Sequence, residues 1–175
     1  MTDPFVCARC AAKGPTCCEL TPGTEEVCFP VSDYERERIR ECVPDLGGFA
    51  MQPNTAVFIE NLLRLFPDQR RTVREMFPPG CTHYRLEVDE SGKCVFLGAQ
   101  GCLIPQEARP FYCRLFPFWT DESGRITLLE VERCLAQQEN KSTGKLFNAL
   151  GISQIKVREL HGKLRTSWGF APHSE

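Results

Sequence analysis

With 175 residues, 21 Lys and Arg against 23 Asp and Glu and a formal charge of −2, the chain is sized for one domain with at most an appendage. It also lacks the basic excess that nucleic-acid binding needs. Its 42% hydrophobic content supplies a modest core and excludes a disordered chain, and no apolar run approaches the ~18 residues of a membrane span. The start, Met-Thr-Asp-Pro-Phe, has no basic region followed by an apolar run, so a soluble, cytoplasmic protein is expected.

The first informative stretch is Cys7-Ala-Arg-Cys10, followed after the Gly14-Pro15 turn by Cys17-Cys18. A C-x2-C pair on a tight loop lets two thiolates converge on one cation, and the turn can fold Cys17 or Cys18 back to the same point. Disulfides are the plainer account of 11 cysteines, but the number is odd. Adjacent Cys17 and Cys18 have Cα atoms ~3.8 Å apart, against the ~4.4–6.8 Å of a relaxed bridge. In a reducing compartment such clusters bind metal or carry redox chemistry more often.

Further along, Glu25 to Phe29 is expected as a short strand ended by Pro30. Ser32 and Glu35 form a capping box for a helix in which Ile39, Cys42 and Val43 share a face, which makes Cys42 a small core residue. Asn54 is expected to cap the next helix, with Phe58, Leu62, Leu65 and Phe66 inward. Pro67 stops it, and a shorter helix presents Val73, Met76 and Phe77 before Pro78-Pro79-Gly80. Cys28 and Cys81 have no assigned role. The period then changes to two: Tyr84, Leu86 and Val88 are expected inward, alternating with His83, Arg85, Glu87 and Asp89, and Asp89-Glu-Ser-Gly-Lys93 turns this strand into Cys94-Val-Phe-Leu97.

The turn sequence returns as Asp121-Glu-Ser-Gly-Arg125, joining Phe116–Trp119 to Ile126–Val131. In each copy a cysteine, Cys102 or Cys134, follows ten residues after the Gly. Leu146, Phe147 and Leu150 predict one tail helix ended by Gly151, and Val157, Leu160, Leu164 and Trp168 a second, with His161 at its edge. The sum is a small α+β single domain: two or three helices in its first and middle parts, short antiparallel hairpins around a cysteine metal site, and a C-terminal helical pair. Residues 1–138 are expected to form the cysteine-cluster domain and 139–175 a helical extension packed on it.

From Cys94 the spacing is C-x7-C-x10-C, then twenty residues to Cys134, within Cys-Val-Phe-Leu, Arg109-Pro110 and Cys113-Arg114-Leu-Phe-Pro117 elements. With the amino-terminal run, and over about Phe5 to Cys134, this resembles the CxxCxxCC cysteine-cluster family (YkgJ-like) of zinc- or iron-chelating proteins. Six residues separate Cys10 from Cys17 here, where the signature has two.

The resemblance implies metal chelation by Cys7, Cys10, Cys17, Cys18, Cys94, Cys102, Cys113 and Cys134, with Arg109 and Arg114 as donors around the thiolates. The cofactor is zinc or an iron–sulfur cluster. Eight thiolates make two four-ligand sites or, more plainly, one with spare thiols. Two other classes stay open. One is an iron–sulfur redox protein or enzyme component, since the resemblance extends to flagellin lysine N-methylases. The other is a metal sensor or delivery protein. No Gly-rich loop that would hold a methyl donor follows a strand, which weighs against an enzyme. Neither His83, His161 nor His173 stands in a Cys-His nucleophile motif. A protein partner, of unknown identity, is left open.

Overall fold

A computed structural model describes residues 6–45 and 47–171. Among the described residues, eight helices and three two-stranded antiparallel sheets make up an α+β fold. In chain order the elements are α1 (Val6–Lys13), a 3-10 turn (Glu25–Val27), α2 (Asp33–Cys42), β1 (Phe49–Pro53), α3 (Ala56–Leu65) and a 3-10 turn (Pro67–Gln69). Then come α4 (Arg70–Met76), β2 (Thr82–Leu86), β3 (Leu97–Gly98), β4 (Gly101–Cys102) and α5 (Phe111–Leu115). The chain closes with β5 (Phe118–Thr120), β6 (Ile126–Leu128), α6 (Leu135–Glu139), α7 (Thr143–Leu150) and α8 (Gln154–Ser167). Among the described residues no helix is long and apolar enough to cross a membrane.

Local chemistry accounts for most of these boundaries. The Ser32–Glu35 capping box is formed in both directions, and Gly151, in the left-handed conformation, ends α7. At α3 the cap is Thr55, whose hydroxyl accepts from the Phe58 N–H at 3.2 Å. Asn54, the expected cap, instead donates to the Pro78 carbonyl at 2.9 Å and lies 2.8 Å from Nδ1 of His83. The expected strand at Glu25–Phe29 is a 3-10 turn, because Thr24 and Glu25 carbonyls recapture the N–H groups of Val27 and Cys28. Cys42 is exposed at the end of α2 and not in the core.

Strand β2 also departs from the alternation. It pairs with β1, a strand the periodicity did not reveal, in the register Phe49↔Leu86 to Pro53↔Thr82. Its buried face carries His83 and Arg85, not Tyr84 and Leu86. Burial is tolerated because the Arg85 guanidinium is engaged and His83 Nδ1 meets Asn54, although His83 Nε2 is buried without a hydrogen-bond partner. His83 stacks on Phe58 with ring centroids 3.7 Å apart, and Arg85 donates from Nε to Gln52 at 3.0 Å and from Nη1 to the Leu86 carbonyl at 2.9 Å.

Two apolar clusters result. The larger joins Phe58, Leu62 and Phe66 of the middle helices to Leu115, Phe118 and Cys134, and to Val157, Leu160 and Leu164 of α8. Helix α8 thus packs on α5 and β5. The smaller contains Ile39, Phe96, Ile104 and Ala108, with Cys94 and Cys102 against it.

Candidate metal centre

Cys7 and Cys10 lie on a helix, not on the expected tight loop. Val6–Lys13 winds into α1, which sets the two thiols one turn apart on one face. The helix stops where the Gly14 N–H returns to the Cys10 carbonyl at 2.9 Å, with Gly14 at φ 44°. A polar turn then presents Cys17 and Cys18. Thr16 Oγ1 accepts from the Cys18 N–H at 3.0 Å, and Glu19 Oε2 accepts from the Thr16 N–H at 2.9 Å. Backbone pairing carries this turn to the second cysteine set: Leu20 N–H donates to the Gly92 carbonyl at 2.7 Å, and Cys94 N–H to the Cys18 carbonyl at 2.9 Å.

The remaining thiols come from four separate elements. Cys94 follows the Asp89 turn and bridges Val88, and Cys102 stands opposite Leu97 in β4. Cys113 is in α5, whose Phe111 N–H donates to the buried Glu35 carboxylate at 2.7 Å. Cys134 immediately precedes α6. Helix α1 packs against β4, which carries Cys102, and against α6, which Cys134 precedes, and both Cys7 and Cys10 interact electrostatically with Cys134. Arg9 clamps α1 to α6 through a bidentate pair with Glu139 at 2.7 and 3.0 Å.

Arg109 is the cation within this group. It donates from Nε to the Ile104 carbonyl at 2.8 Å and from Nη2 to the Cys102 carbonyl at 3.3 Å, and its charge favours the thiolate forms of Cys7, Cys18 and Cys102. Arg114 donates instead to the Glu107 carbonyl at 3.1 Å. Arg133 donates to the Glu19 carbonyl at 2.8 Å, bracing the Cys17–Cys18 turn against the segment before Cys134.

Removal from water dominates the thiol chemistry. Burial pushes Cys94 up to about 12 and Cys28 to about 11, and Cys113 well above the usual range. Burial also raises Cys7, Cys102 and Cys134. Cys18 moves the other way, lowered to about 7 chiefly by the hydrogen bond from the Cys17 thiol, which in turn holds its own proton more tightly.

Backbone donors oppose the effect of burial. Phe96 N–H is directed at the Cys94 sulfur, Ile104 N–H at Cys102, and Gln137 and Ala136 N–H at Cys134. Each of these sulfurs therefore receives a main-chain N–H from two residues further on, an arrangement that favours the thiolate.

Cys17, Cys18, Cys94 and Cys113 line one cleft of about 450 Å³, and Cys28 joins them. No spacing rule could have found Cys28, since it enters through the fold around the 3-10 turn. Phe29 and Tyr112, stacked with centroids 4.5 Å apart, form an apolar wall of the same cleft. Burial keeps the Tyr112 hydroxyl protonated, raised to about 12. Cys17 and Cys113 remain accessible where they open into this cleft, though protein surrounds them on most sides, and Cys7 is exposed outside its lining. Cys42 and Cys81 are exposed and outside the cleft lining.

The thiols are soft-metal donors, and the backbone N–H groups and the arginine are placed to offset thiolate charge. As placed, no three His, Cys, Asp or Glu side chains among the described residues stand close enough together to hold a metal ion. All eleven cysteines are described and none is in a disulfide. His83 and His161 are buried among aromatic rings, and His173 lies outside the described residues. Comparisons of the chain with family models, curated proteins and solved structures return no match.

Proposed function

We propose that the protein binds zinc or an iron–sulfur cluster through thiolates drawn from Cys7, Cys10, Cys17, Cys18, Cys94, Cys102, Cys113 and Cys134, with Arg109 offsetting their charge. The observation that carries this reading is the main-chain N–H aimed at each of Cys94, Cys102 and Cys134 from two residues on. Protonated structural thiols buried in apolar surroundings have no need of such donors, whereas bound thiolates do. The resemblance of the cysteine spacing to the CxxCxxCC family points the same way. Bound metal supplies cross-linking of distant segments and, as a cluster, electron storage. A reducing compartment such as the cytoplasm keeps the thiols available for this role.

A second reading, an iron–sulfur redox protein or enzyme component, draws on a different observation. Five cysteines wall an apolar cleft of about 450 Å³, within the ~300–1,000 Å³ range of small-ligand sites. Anaerobic purification followed by metal analysis, acid-labile sulfide and an absorption spectrum separates these outcomes. Stoichiometric zinc in a colourless protein supports the first reading. Iron with sulfide in a brown protein keeps both. A chain that holds neither, and takes up neither on reconstitution, sinks the proposal.

A further inference from the structure

We propose that the cavity enclosed by the first turn of α2, the end of α4, strand β2 and the end of α8 binds a small uncharged molecule carrying an amide-type donor–acceptor pair on a planar ring. Among the described residues no cysteine lines it, so it stands apart from the metal-binding reading.

The cavity has a volume of about 320 Å³, and its wall includes Tyr34, Met76, Phe77, His83, Tyr84 and Trp168. That size suits one ring with a substituent, at the lower end of the ~300–1,000 Å³ of small-ligand sites. Two nitrogens of these wall residues, Nε2 of His83 and Nε1 of Trp168, are buried without a hydrogen-bond partner. His83 as a whole is only 5% exposed. Buried polar atoms are as a rule paired, so two orphans belonging to one cavity wall call for an occupant.

The two orphans are complementary. Asn54 donates its amide nitrogen to the Pro78 carbonyl at 2.9 Å, which leaves Oδ1 facing Nδ1 of His83 at 2.8 Å. Nδ1 therefore carries the proton and Nε2 presents a lone pair, whereas an indole nitrogen only donates. A carboxylate brings no donor and an ammonium no acceptor, so each leaves one orphan unmatched. A carboxamide or a ring lactam brings both groups.

The surroundings favour the same class. Asp33 of the lining pairs with Arg36, whose guanidinium stacks 3.7 Å from the Tyr84 ring centroid, so acid and base offset one another. Burial lowers His83 to about 4, and it adds no charge near pH 7. Phe77 adjoins both orphan-bearing rings, with centroids 6.2 Å from His83 and 5.0 Å from Trp168, an aromatic setting for a planar ligand. Neither nitrogen is open to solvent as placed, so a ligand reaches them as the exposed Met76 and half-buried Trp168 side chains shift. Water is the competing occupant, since one molecule serves both a donor and an acceptor.

The test titrates the full chain with benzamide, nicotinamide and 2-pyridone and follows the tryptophan indole signals in ¹H–¹⁵N spectra. Of the two tryptophans, Trp119 is the internal control, because its Nε1 already donates to the Leu65 carbonyl at 3.3 Å. At least one probe is expected to move the Trp168 signal saturably, leave Trp119 in place and shift the unprotonated Nε2 of His83. Trp168→Phe assigns the signal and keeps a ring beside Phe77. It is expected to weaken that probe roughly tenfold, read at His83 Nε2. Toluene, which lacks the pair, and benzoate, which lacks the donor, are expected to bind about tenfold more weakly or worse. Where Trp168→Phe does not fold, the comparison of these two compounds with the probe on wild type decides. The proposal is overturned if none of the three probes moves Trp168, as a cavity that holds only water requires. Toluene or benzoate binding as tightly as the probe, or full affinity in folded Trp168→Phe, overturns it as well.

Discussion

His83 carries a pH dependence that its surroundings make calculable. Asn54 donates from its amide nitrogen to Pro78, so its Oδ1 is the group facing His83 and Nδ1 of the ring is the protonated nitrogen. Phe58 covers one face of the ring and Phe77 meets it edge-on. Burial, aided by the Arg85 charge, lowers His83 from 6.5 to about 4. The folded protein thus resists a proton that the unfolded chain accepts. The resulting stability is fully present above pH ~6.5 and is lost as the pH falls through about 4, amounting to roughly 3 kcal/mol. Urea unfolding at pH 7 and pH 4 is expected to show this difference in wild type and its loss in His83→Gln. An equal acid sensitivity in both would assign the effect to other groups. From sequence alone His83 belongs to the outward half of an alternating strand. The reversal arises because a buried imidazole is acceptable once its Nδ1 is matched, and Asn54, 29 positions away, supplies the match.

At the scale of elements, the two Asp-Glu-Ser-Gly turns show how one local sequence serves two purposes. In both, the aspartate Oδ1 accepts from the serine N–H, the serine hydroxyl and the N–H of the residue after the glycine. The glycines have similar backbones, φ 86° at Gly92 and φ 76° at Gly124. Their neighbours differ. A Cβ on Gly92 would stand 2.1 Å from the Leu20 carbonyl oxygen, whereas one on Gly124 would meet nothing within 4 Å. Gly124→Ala is therefore expected to cost only the left-handed backbone penalty, about 1–2 kcal/mol. Gly92→Ala must also part the Leu20–Gly92 pairing, adding about 1–3 kcal/mol, and it displaces the adjacent Cys18–Cys94 bond. Thermal melts should rank wild type, then Gly124→Ala, then Gly92→Ala, and only the last should retain less metal. Equal melting points for the two variants would show that the pairing at Gly92 yields freely. The turns were legible because their hydrogen bonds close within five residues. The Val88–Cys94 pairing that the first turn implies is formed, but the longer-range partners were not legible: Cys94 also bonds to Cys18, and β2 pairs with β1.

For the whole molecule, the thiols occupy the junction of the two apolar clusters. Cys134 belongs to the larger, while Cys94 and Cys102 pack against the smaller. Metal held between them would tie α1, the Asp89 turn, α5 and the start of α6 into one unit. Stripping it with a chelator under anaerobic conditions is then expected to lower the melting temperature by on the order of 10 °C or more, at about 2–4 °C per kcal/mol for a chain of this length. Calorimetry with and without chelator checks this, and an unchanged transition would mean that the metal does not hold the fold together.

What the sequence by itself determined is what depends on near neighbours: the Ser32–Glu35 capping box, the Gly151 stop, the helical stripes of α3 and α8 and the twin aspartate turns. It also determined which donors are available, eight thiols in two spaced sets. The tertiary structure alone decided which thiols are neighbours. Cys7 and Cys134 lie far apart in the chain, and their approach depends on α1 packing against β4 and α6, a choice no local pattern encodes. It likewise brought in Cys28, left Cys42 in solvent and set Arg109 rather than Arg114 beside the sulfurs. Burial and charge in that assembled space, not residue type, make these thiols differ from one another.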